Sequence, residues 1–209
     1  MFAIRPTTGF IAALRERGGT AARLLEFLIL TNVRTGAALA ARWDEFDPGA
    51  GVWSVPVVNL KDKKHRREPF RVPLSSRAGN ILEDMAAGRI SDYVFPGATG
   101  KPLSNMSTLV LLRRMSSGNQ QWLDPTCGKP IVPHGFRASF RTWCEEAARF
   151  PHAVVEEAMG HVVGTAVERA YRRTDVLEQR RALMEQWAAH CEPHSTGNVL
   201  KFARSNVHS

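Results

Sequence analysis

The pattern of apolar and polar residues predicts a chain made mostly of helices. Residues 10–30 are rich in helix formers, are interrupted by Gly18 and Gly19, and end in AARLLEFLIL, which is apolar on nearly all sides. A helix that is apolar all round is typical of a protein core. Further helices are predicted over residues 37–43, from Ser75 or Ser76 to about Ala87, and over residues 105–115.

The last third of the chain is also predicted to be helical. The pattern predicts a helix after Pro133, a second one from Pro151 toward Met159, and a break at Val163-Gly164. A third helix, capped by Thr165, is predicted to carry Tyr171. A fourth, capped by Asp175, is predicted to run from Val176 to about His190. Residues 193–209 lack periodicity and predict a mobile tail.

Two stretches of β-branched and aromatic residues predict one small antiparallel sheet near the start of the chain. They cover residues 52–58 and 70–74, and the basic stretch NLKDKKHRREP between them predicts a long hairpin. Asp47-Pro48-Gly49 predicts a turn, and residues 93–95 predict a short third strand. The predicted fold class is therefore mainly α with a small antiparallel β-sheet, an α+β arrangement.

Composition narrows the class of partner. The chain has 209 residues, of which 44% are hydrophobic, and a net charge of +8. A positive excess suits a polyanion such as nucleic acid, although taken alone it fits a merely soluble basic protein equally well.

The cysteines and the apolar runs indicate a cytoplasmic protein. Cys127, Cys144 and Cys191 form no paired framework and no Cys-x-x-Cys, which argues against a disulfide scaffold or a zinc finger. The start of the chain lacks the pattern of a secretory signal. The apolar run from Leu24 to Leu30 is much shorter than the roughly 20 residues that span a bilayer, so no membrane association is expected.

Residues 133–173 concentrate side chains that suit phosphate chemistry. They include His134 and Arg137, which are three residues apart and share a helix face, and further along His161 and Tyr171. An arginine can hold two phosphate oxygens, an imidazole can transfer a proton near neutral pH, and a phenol oxygen can attack phosphorus. The other tyrosine, Tyr93, lies in an apolar run and is predicted to pack in the core.

Such chemistry also needs a second arginine and a proton donor for the leaving group. Arg34 follows the apolar run in LTNVRTG, and Lys61 ends the stretch WSVPVVNLK. Both are candidates for these roles.

Five blocks of sequence cover most of residues 20–190. They are TNVRTG with ARWDEFD, Trp53–Lys61 with VPLS, HGFR, MGH, and AYRR ending in ALMEQWA. Together they resemble the catalytic domain of the tyrosine recombinases, and most closely the integrases of the P4 phage and genomic-island type. Their order, with the tyrosine last, makes the match specific. The resemblance implies double-stranded DNA as the partner, self-association on DNA, and no metal, ATP or small-molecule cofactor.

The resemblance also implies a role for each candidate residue. In this reading Tyr171 is the nucleophile that forms a 3′-phosphotyrosine, Arg34 and Arg137 hold the non-bridging oxygens, Lys61 is the general acid, His134 is a base or phosphate donor, and His161 is a second donor. The hairpin is longer than in similar integrases, so Lys63 and Lys64 remain alternatives to Lys61. Lys63, Lys64, Arg66, Arg67 and Arg172 are predicted to contact DNA.

The sequence departs from the family pattern in three places. Similar integrases carry Gly-Glu after the first arginine, where this chain has Gly36-Ala37, so Arg34 is expected to be less firmly positioned. Asn32 replaces a frequent glycine. Few residues precede the first core helix, so residues 1–192 are expected to be a catalytic domain that lacks the amino-terminal arm-binding and core-binding domains.

Three functions fit these observations. The favoured one is a strand-exchange enzyme that cleaves and rejoins DNA. The second is a DNA-binding remnant without activity, because half of the expected clamp around DNA is absent from the sequence. The third is a type IB topoisomerase-like activity, which shares this chemistry. It is disfavoured because the sequences of the VPLS and AYRR blocks resemble those of integrases.

Overall fold

The computed structural model of the protein describes residues 8–61, 63–117, 122–124, 127–164 and 166–193, with only the backbone at residues 8, 65 and 166–175. Over these ranges the chain is mainly helical with a three-stranded antiparallel sheet, which confirms the predicted fold class. The helices are α1 (Thr8–Arg15), α2 (Thr20–Thr31), α3 (Thr35–Leu39), α4 (Ser76–Ala87), α5 (Ser107–Met115), α6 (Gly135–Glu146), α7 (His152–Ala158) and α8 (Ala166–Cys191). The strands are β1 (Phe46–Asp47), β2 (Val52–Val55) and β3 (Phe70–Pro73).

Helix α2 is the centre of the core. It packs against α1, α3, α4, α5 and α8, and most of its side chains are buried, as a sequence that is apolar on nearly all sides predicts. Phe27 lies 5.2 Å from Phe95 and 5.7 Å from Trp53, measured between ring centroids. On the other side, the buried Trp187 of α8 donates from its indole nitrogen to the carbonyl of Ile29 over 2.7 Å. The packing of α2 therefore joins the sheet to the carboxyl-terminal helix.

The sheet is small and has the order β1-β2-β3. Trp53 pairs with Phe46 on one side and Val72 on the other, and its ring stacks on that of Phe46 at 5.3 Å. β2 ends at Val55, earlier than predicted, because Pro56 has no backbone N–H to donate to a ladder. The long connection from β2 to β3 therefore begins at Pro56.

Two predicted elements near the start of the chain are wrong. Tyr93 makes only a single bridge with Arg42, so residues 93–95 are not a strand, and the third strand is the two-residue β1. The backbone N–H of Val94 donates to the carbonyl of Ala41, which lies in a loop and not in a strand of the sheet. Tyr93 is half-buried beneath the Arg42 guanidinium instead of lying in the core. The helix predicted over residues 37–43 is α3, which begins two residues earlier, at Thr35, and ends four residues earlier, at Leu39.

The predicted cap at Asp175 is also wrong, because residues 166–191 form the single helix α8. No glycine or proline occurs in this range, so nothing in the backbone interrupts the helix. The predicted cap Thr165 and residues 194–209 of the predicted tail lie outside the described residues. In the part of the chain that the structure describes, none of the helices has the length and apolar character that a membrane span requires.

Glu26 of α2 is a buried carboxylate, with a side chain only 1% exposed. Its oxygens accept hydrogen bonds from Arg15 Nε at 2.6 Å, Arg77 Nε at 2.8 Å and Arg23 Nη1 at 3.2 Å. Arg15 also donates from both terminal nitrogens to Glu192 at 2.7 Å. A buried carboxylate is tolerated when it is paired and hydrogen-bonded, and this cluster joins α1, α2, α4 and the end of α8.

Replacing Glu26 tests how much this cluster stabilises the fold. We expect Glu26→Gln to lower the free energy of unfolding by about 2–3 kcal/mol, because the arginines around it lose their shared counter-charge. Urea denaturation at pH 7 measures the change. As the matched control, Glu178→Gln removes an exposed carboxylate that pairs with Arg181 at 3.3 Å, and it should cost less than about 0.5 kcal/mol. Equal losses in the two variants would contradict the prediction.

Candidate active site

Arg137 is the buried positive charge of the site. It lies in the first turn of α6 with 7% of its surface exposed. Its Nη1 donates to the carbonyl of Asn32 and its Nη2 to the carbonyl of Met159, the latter over 2.8 Å. Burial, and then the charge of Arg34, lower the pKa of Arg137 to about 10, so it remains a cation at neutral pH. Its guanidinium is therefore charged, desolvated and fixed in direction by two backbone carbonyls.

Arg34 is brought to the same place by the end of α2. Asn32 ends that helix in the left-handed conformation, with φ of 54°, and its N–H bonds to the carbonyl of Leu28 at 3.0 Å. Asparagine tolerates this conformation better than most residues, which explains how it can replace a glycine there. The chain then reverses, and Arg34 takes the position before the first residue of α3. It is half-buried.

Four of the predicted catalytic residues line a single open cleft. Arg34 and Arg137 form its inner part, and the exposed Lys61 and His134 complete it. Arg34, Lys61 and Arg137 also line a small adjoining cleft, together with Ala37, Phe70 and Gly160 among others. Among the described residues neither arginine forms an ion pair with a carboxylate. The described residues that line this cleft thus include several cations and no acidic side chain, which suits an anion such as phosphate.

His161 is positioned by the end of α7. Gly160 is left-handed, with φ of 72°, and its N–H bonds to the carbonyl of Glu157, while the N–H of His161 bonds to the carbonyl of Glu156. These two bonds form a Schellman motif, which turns the chain back over the helix end. His161 Nδ1 consequently lies 2.7 Å from a carboxylate oxygen of Glu156.

Glu156 fixes the hydrogen-bonding role of His161. Burial raises the pKa of Glu156, but its bonds to His161 and to Arg141 outweigh this and leave the pKa below its usual value. Glu156 is therefore ionised at neutral pH and can only accept, so Nδ1 of His161 must carry the proton that it donates. In the neutral ring this leaves Nε2 as an acceptor.

The remaining predicted site residues fall into two groups. Tyr171 and Arg172 lie on α8, but their side chains are outside the described residues. Lys63, Lys64 and Arg67 are exposed in the connection between β2 and β3. Arg66 differs from them, because it is half-buried and its Nη2 donates to the carbonyl of Gly160 at 2.8 Å.

Glu156, Arg141 and the carbonyls that hold Arg137 are parts of the site that no predicted motif contains. For Glu156 a signal was present, since it lies five residues before the histidine of a Gly-His helix end, the spacing that a Schellman motif brings together. For the carbonyls of Asn32 and Met159 there was none, since any residue type supplies a carbonyl.

The model of the phage integrase family matches residues 10–178. The chain belongs to this family. Prophage integrase IntA of Escherichia coli K12 is 33% identical over 182 residues, which are 85% of this chain and 40% of IntA. The integrase of Enterobacteria phage P4 is 30% identical over 200 residues, which are 88% of this chain and 43% of that protein. The chain therefore spans less than half the length of these curated integrases, and the predicted family is confirmed.

Solved integrases share the fold. A lambda integrase tetramer bound to a Holliday junction matches with a TM-score of 0.52 and 14% identity over 75% of this chain and 45% of that one. The Tn1549 transposon integrase in complex with circular intermediate DNA matches with a TM-score of 0.54 and 14% identity over 78% of this chain and 61% of that one. The chain thus has the fold of a tyrosine recombinase catalytic domain.

The contact between Glu156 and His161 predicts a pH-dependent stability. We expect Glu156→Gln to lower the free energy of unfolding by about 1 kcal/mol at pH 7, because charge-assisted bonds to His161 and Arg141 are lost. The folded-state pKa of Glu156 lies below its usual 4.5. The difference between variant and parent should therefore be full above that value and disappear as the pH falls through the folded-state pKa.

Denaturation with urea at a series of pH values measures this difference. The matched control is Glu145→Gln, which removes an exposed carboxylate bonded to the same Arg141 at 3.0 Å. It should change stability by less than about 0.5 kcal/mol. A cost for Glu156→Gln that stays constant down to acidic pH would mean that packing, and not the charge, is what the substitution removes.

Proposed function

We propose that this phage integrase-family domain cleaves and rejoins DNA strands as the catalytic part of a site-specific recombinase, with Tyr171 as the nucleophile. The observation that carries the proposal is the state of Arg137. A buried guanidinium is costly unless its charge is matched, and Arg137 has Arg34 beside it and no carboxylate among the described residues. A phosphate diester entering the cleft would supply that negative charge.

The two arginines are assigned to the non-bridging oxygens of the scissile phosphate. A guanidinium has five N–H groups, and the two carbonyl bonds of Arg137 leave donors for an anion. Because Arg137 is already held by the chain, its donors need little reorganisation as charge builds on phosphorus. Arg34, which lines the same cleft, supplies the second set of donors.

The covalent step is assigned to four side chains. The phenol oxygen of Tyr171 forms a bond to phosphorus, the bond to the 5′-oxygen breaks, and the product is a 3′-phosphotyrosine with a free 5′-hydroxyl. His134 or the phosphate takes the phenol proton, and Lys61 gives a proton to the 5′-oxygen. His161 donates to a phosphate oxygen when its ring is protonated at Nε2 as well. Rejoining is the reverse reaction, so no ATP, metal or cofactor is required.

Double-stranded DNA is the proposed substrate. The net charge of +8 and the exposed Lys63, Lys64 and Arg67 beside the cleft favour a polyanion, and Arg172 is assigned to the same surface. The structurally similar lambda integrase was solved as a tetramer on a Holliday junction, which supports self-association on DNA. We also propose that residues 1–192 form the catalytic domain and that the protein acts in the cytoplasm, where its DNA substrate lies.

Tyr171→Phe separates an active recombinase from an inactive DNA-binding protein. A nicked duplex that releases its 5′-hydroxyl fragment on cleavage should trap a covalent protein-DNA adduct, seen as a slower band on a denaturing gel. Since the target site is not known, a pool of nicked duplexes with randomised sequence is the substrate. We expect the adduct with the parent chain and none with the variant, while DNA binding is unchanged and stability shifts by no more than about 1 kcal/mol.

An adduct that persists in Tyr171→Phe would assign the nucleophile to another residue. If neither protein forms an adduct but both still bind DNA in a salt-sensitive way, the protein is better described as an inactive DNA-binding protein. Relaxation of a supercoiled plasmid by the parent chain alone would favour the topoisomerase-like reading.

The two arginines should behave as one unit. We expect Arg34→Ala and Arg137→Ala each to lower the rate of adduct formation by about 100-fold or more. The double variant should be little worse than either single one, because both side chains bind one phosphate. Arg113→Ala, which removes an exposed arginine at the end of α5, is the control and should leave the rate unchanged. Additive losses would place the two arginines at separate sites.

A further inference from the structure

The connection between β2 and β3 carries the lysines of the site, yet one of its basic residues points inward. Lys61, Lys63, Lys64 and Arg67 are exposed, whereas Arg66 is half-buried. The Nη2 of Arg66 donates to the carbonyl of Gly160 over 2.8 Å. This bond links the middle of the connection to the turn that positions His161.

Phe70 completes the contact. Its ring is buried at the start of β3, and the Arg66 guanidinium lies 5.1 Å from the ring centroid. The Arg180 guanidinium of α8 lies 4.8 Å from the same centroid and donates to the carbonyl of Arg71 at 2.6 Å. A β-carbon on Gly160 would lie 3.4 Å from the ring, so the backbone of the turn also packs against it. An aromatic ring attracts guanidinium groups through its negative face, so Phe70 accommodates two cations and a glycine turn in one place.

The same turn also holds the phosphate-binding arginine. Met159 accepts a hydrogen bond from Arg137, and Gly160, the next residue, accepts one from Arg66. Two adjacent peptide carbonyls therefore connect the lysine-bearing connection to Arg137. Lys61 and Arg137 line the same cleft. A shift of the connection would therefore change the position of Lys61 relative to Arg137.

We infer that Arg66 is a positioning residue that fastens the β2–β3 connection to the Met159–His161 turn, and not a residue that contacts the DNA backbone. The fastening itself is a property of the fold. Its consequence for catalysis, the placing of Lys61 at the cleft, rests on the proposed function. This differs from the role that the sequence predicts for Arg66 as one of a run of DNA-binding cations.

Two measurements on Arg66→Ala and Arg67→Ala distinguish these roles. The first is the rate of backbone amide exchange in the β2–β3 connection, followed by mass spectrometry without DNA. We expect Arg66→Ala to raise this rate at least about tenfold, because a local opening becomes easier, and Arg67→Ala to leave it unchanged. The second is the salt dependence of binding to a random-sequence duplex. Arg67→Ala should lower the slope of log K against log salt by about 0.9, the value for one phosphate contact, whereas Arg66→Ala should not.

A third variant separates charge from geometry. Arg66→Lys keeps the positive charge but lacks the planar fork that stacks on Phe70 and donates to Gly160, so exchange should rise in it as well. Unchanged exchange in both Arg66 variants would overturn the inference, as would a loss of salt slope in Arg66→Ala equal to that in Arg67→Ala. If neither substitution changes the slope because the chain does not bind DNA, the proposed function fails, while the exchange rates still decide the role of Arg66.

The catalytic consequence has its own readout. A substrate with sulfur in place of the scissile 5′-oxygen loses its 5′ fragment as a thiolate. A thiol has a pKa of about 8.5, so this group leaves without a proton from Lys61. If Arg66 acts by positioning Lys61, the slow adduct formation of Arg66→Ala should return toward the parent rate on this substrate. Arg137→Ala should remain slow on it, because that residue holds the phosphate itself. No recovery in Arg66→Ala would argue that it acts on a different step.

Discussion

The hydrogen bonds from the Arg137 guanidinium to two backbone carbonyls are the contact on which the site depends. They join residues at the end of α2, the start of α6 and the end of α7, three segments that are remote in the sequence. Each carbonyl is available because a helix has ended there with a left-handed residue, Asn32 in one case and Gly160 in the other. A cation held in this way is desolvated and directional, which destabilises the fold locally and prepares it for an anion.

The arginines of the chain occur in two contrasting environments. Around Glu26 the charges are matched, and the cluster serves to tie four helices together. Arg34 and Arg137 line one cleft without an ion pair to a carboxylate in the part of the chain that the structure describes. Burial, and then the charge of Arg34, lower the pKa of Arg137. Arginines therefore stabilise the fold around Glu26, whereas in the cleft their unmatched positive charge favours the binding of an anion. The difference lies in the partner, not in the arginine.

Ala37 fits this description. It is buried and lines the adjoining cleft with Arg34 and Arg137, at the position where the family resemblance led us to expect glutamate. Arg137 is held by the Asn32 and Met159 carbonyls, and no acidic side chain at position 37 competes with a phosphate for it. The site is thus held by main-chain geometry. It depends on the two left-handed turns and, at Gly160, on the packing of that turn against Phe70.

Sequence alone determined the features that depend on nearby residues. The largely apolar α2, the break at Gly18-Gly19, the helix after Pro151 and the two main strands follow from periodicity and from glycine and proline, and the order of the five blocks indicated the family. Tertiary structure decided the loop contact at Tyr93, the two carbonyls that hold Arg137 and the inward direction of Arg66. The reason is physical: helix caps and periodicity act over a few residues, whereas the partner of Arg137 lies 105 residues away in the chain and is a carbonyl, which no side-chain pattern reveals.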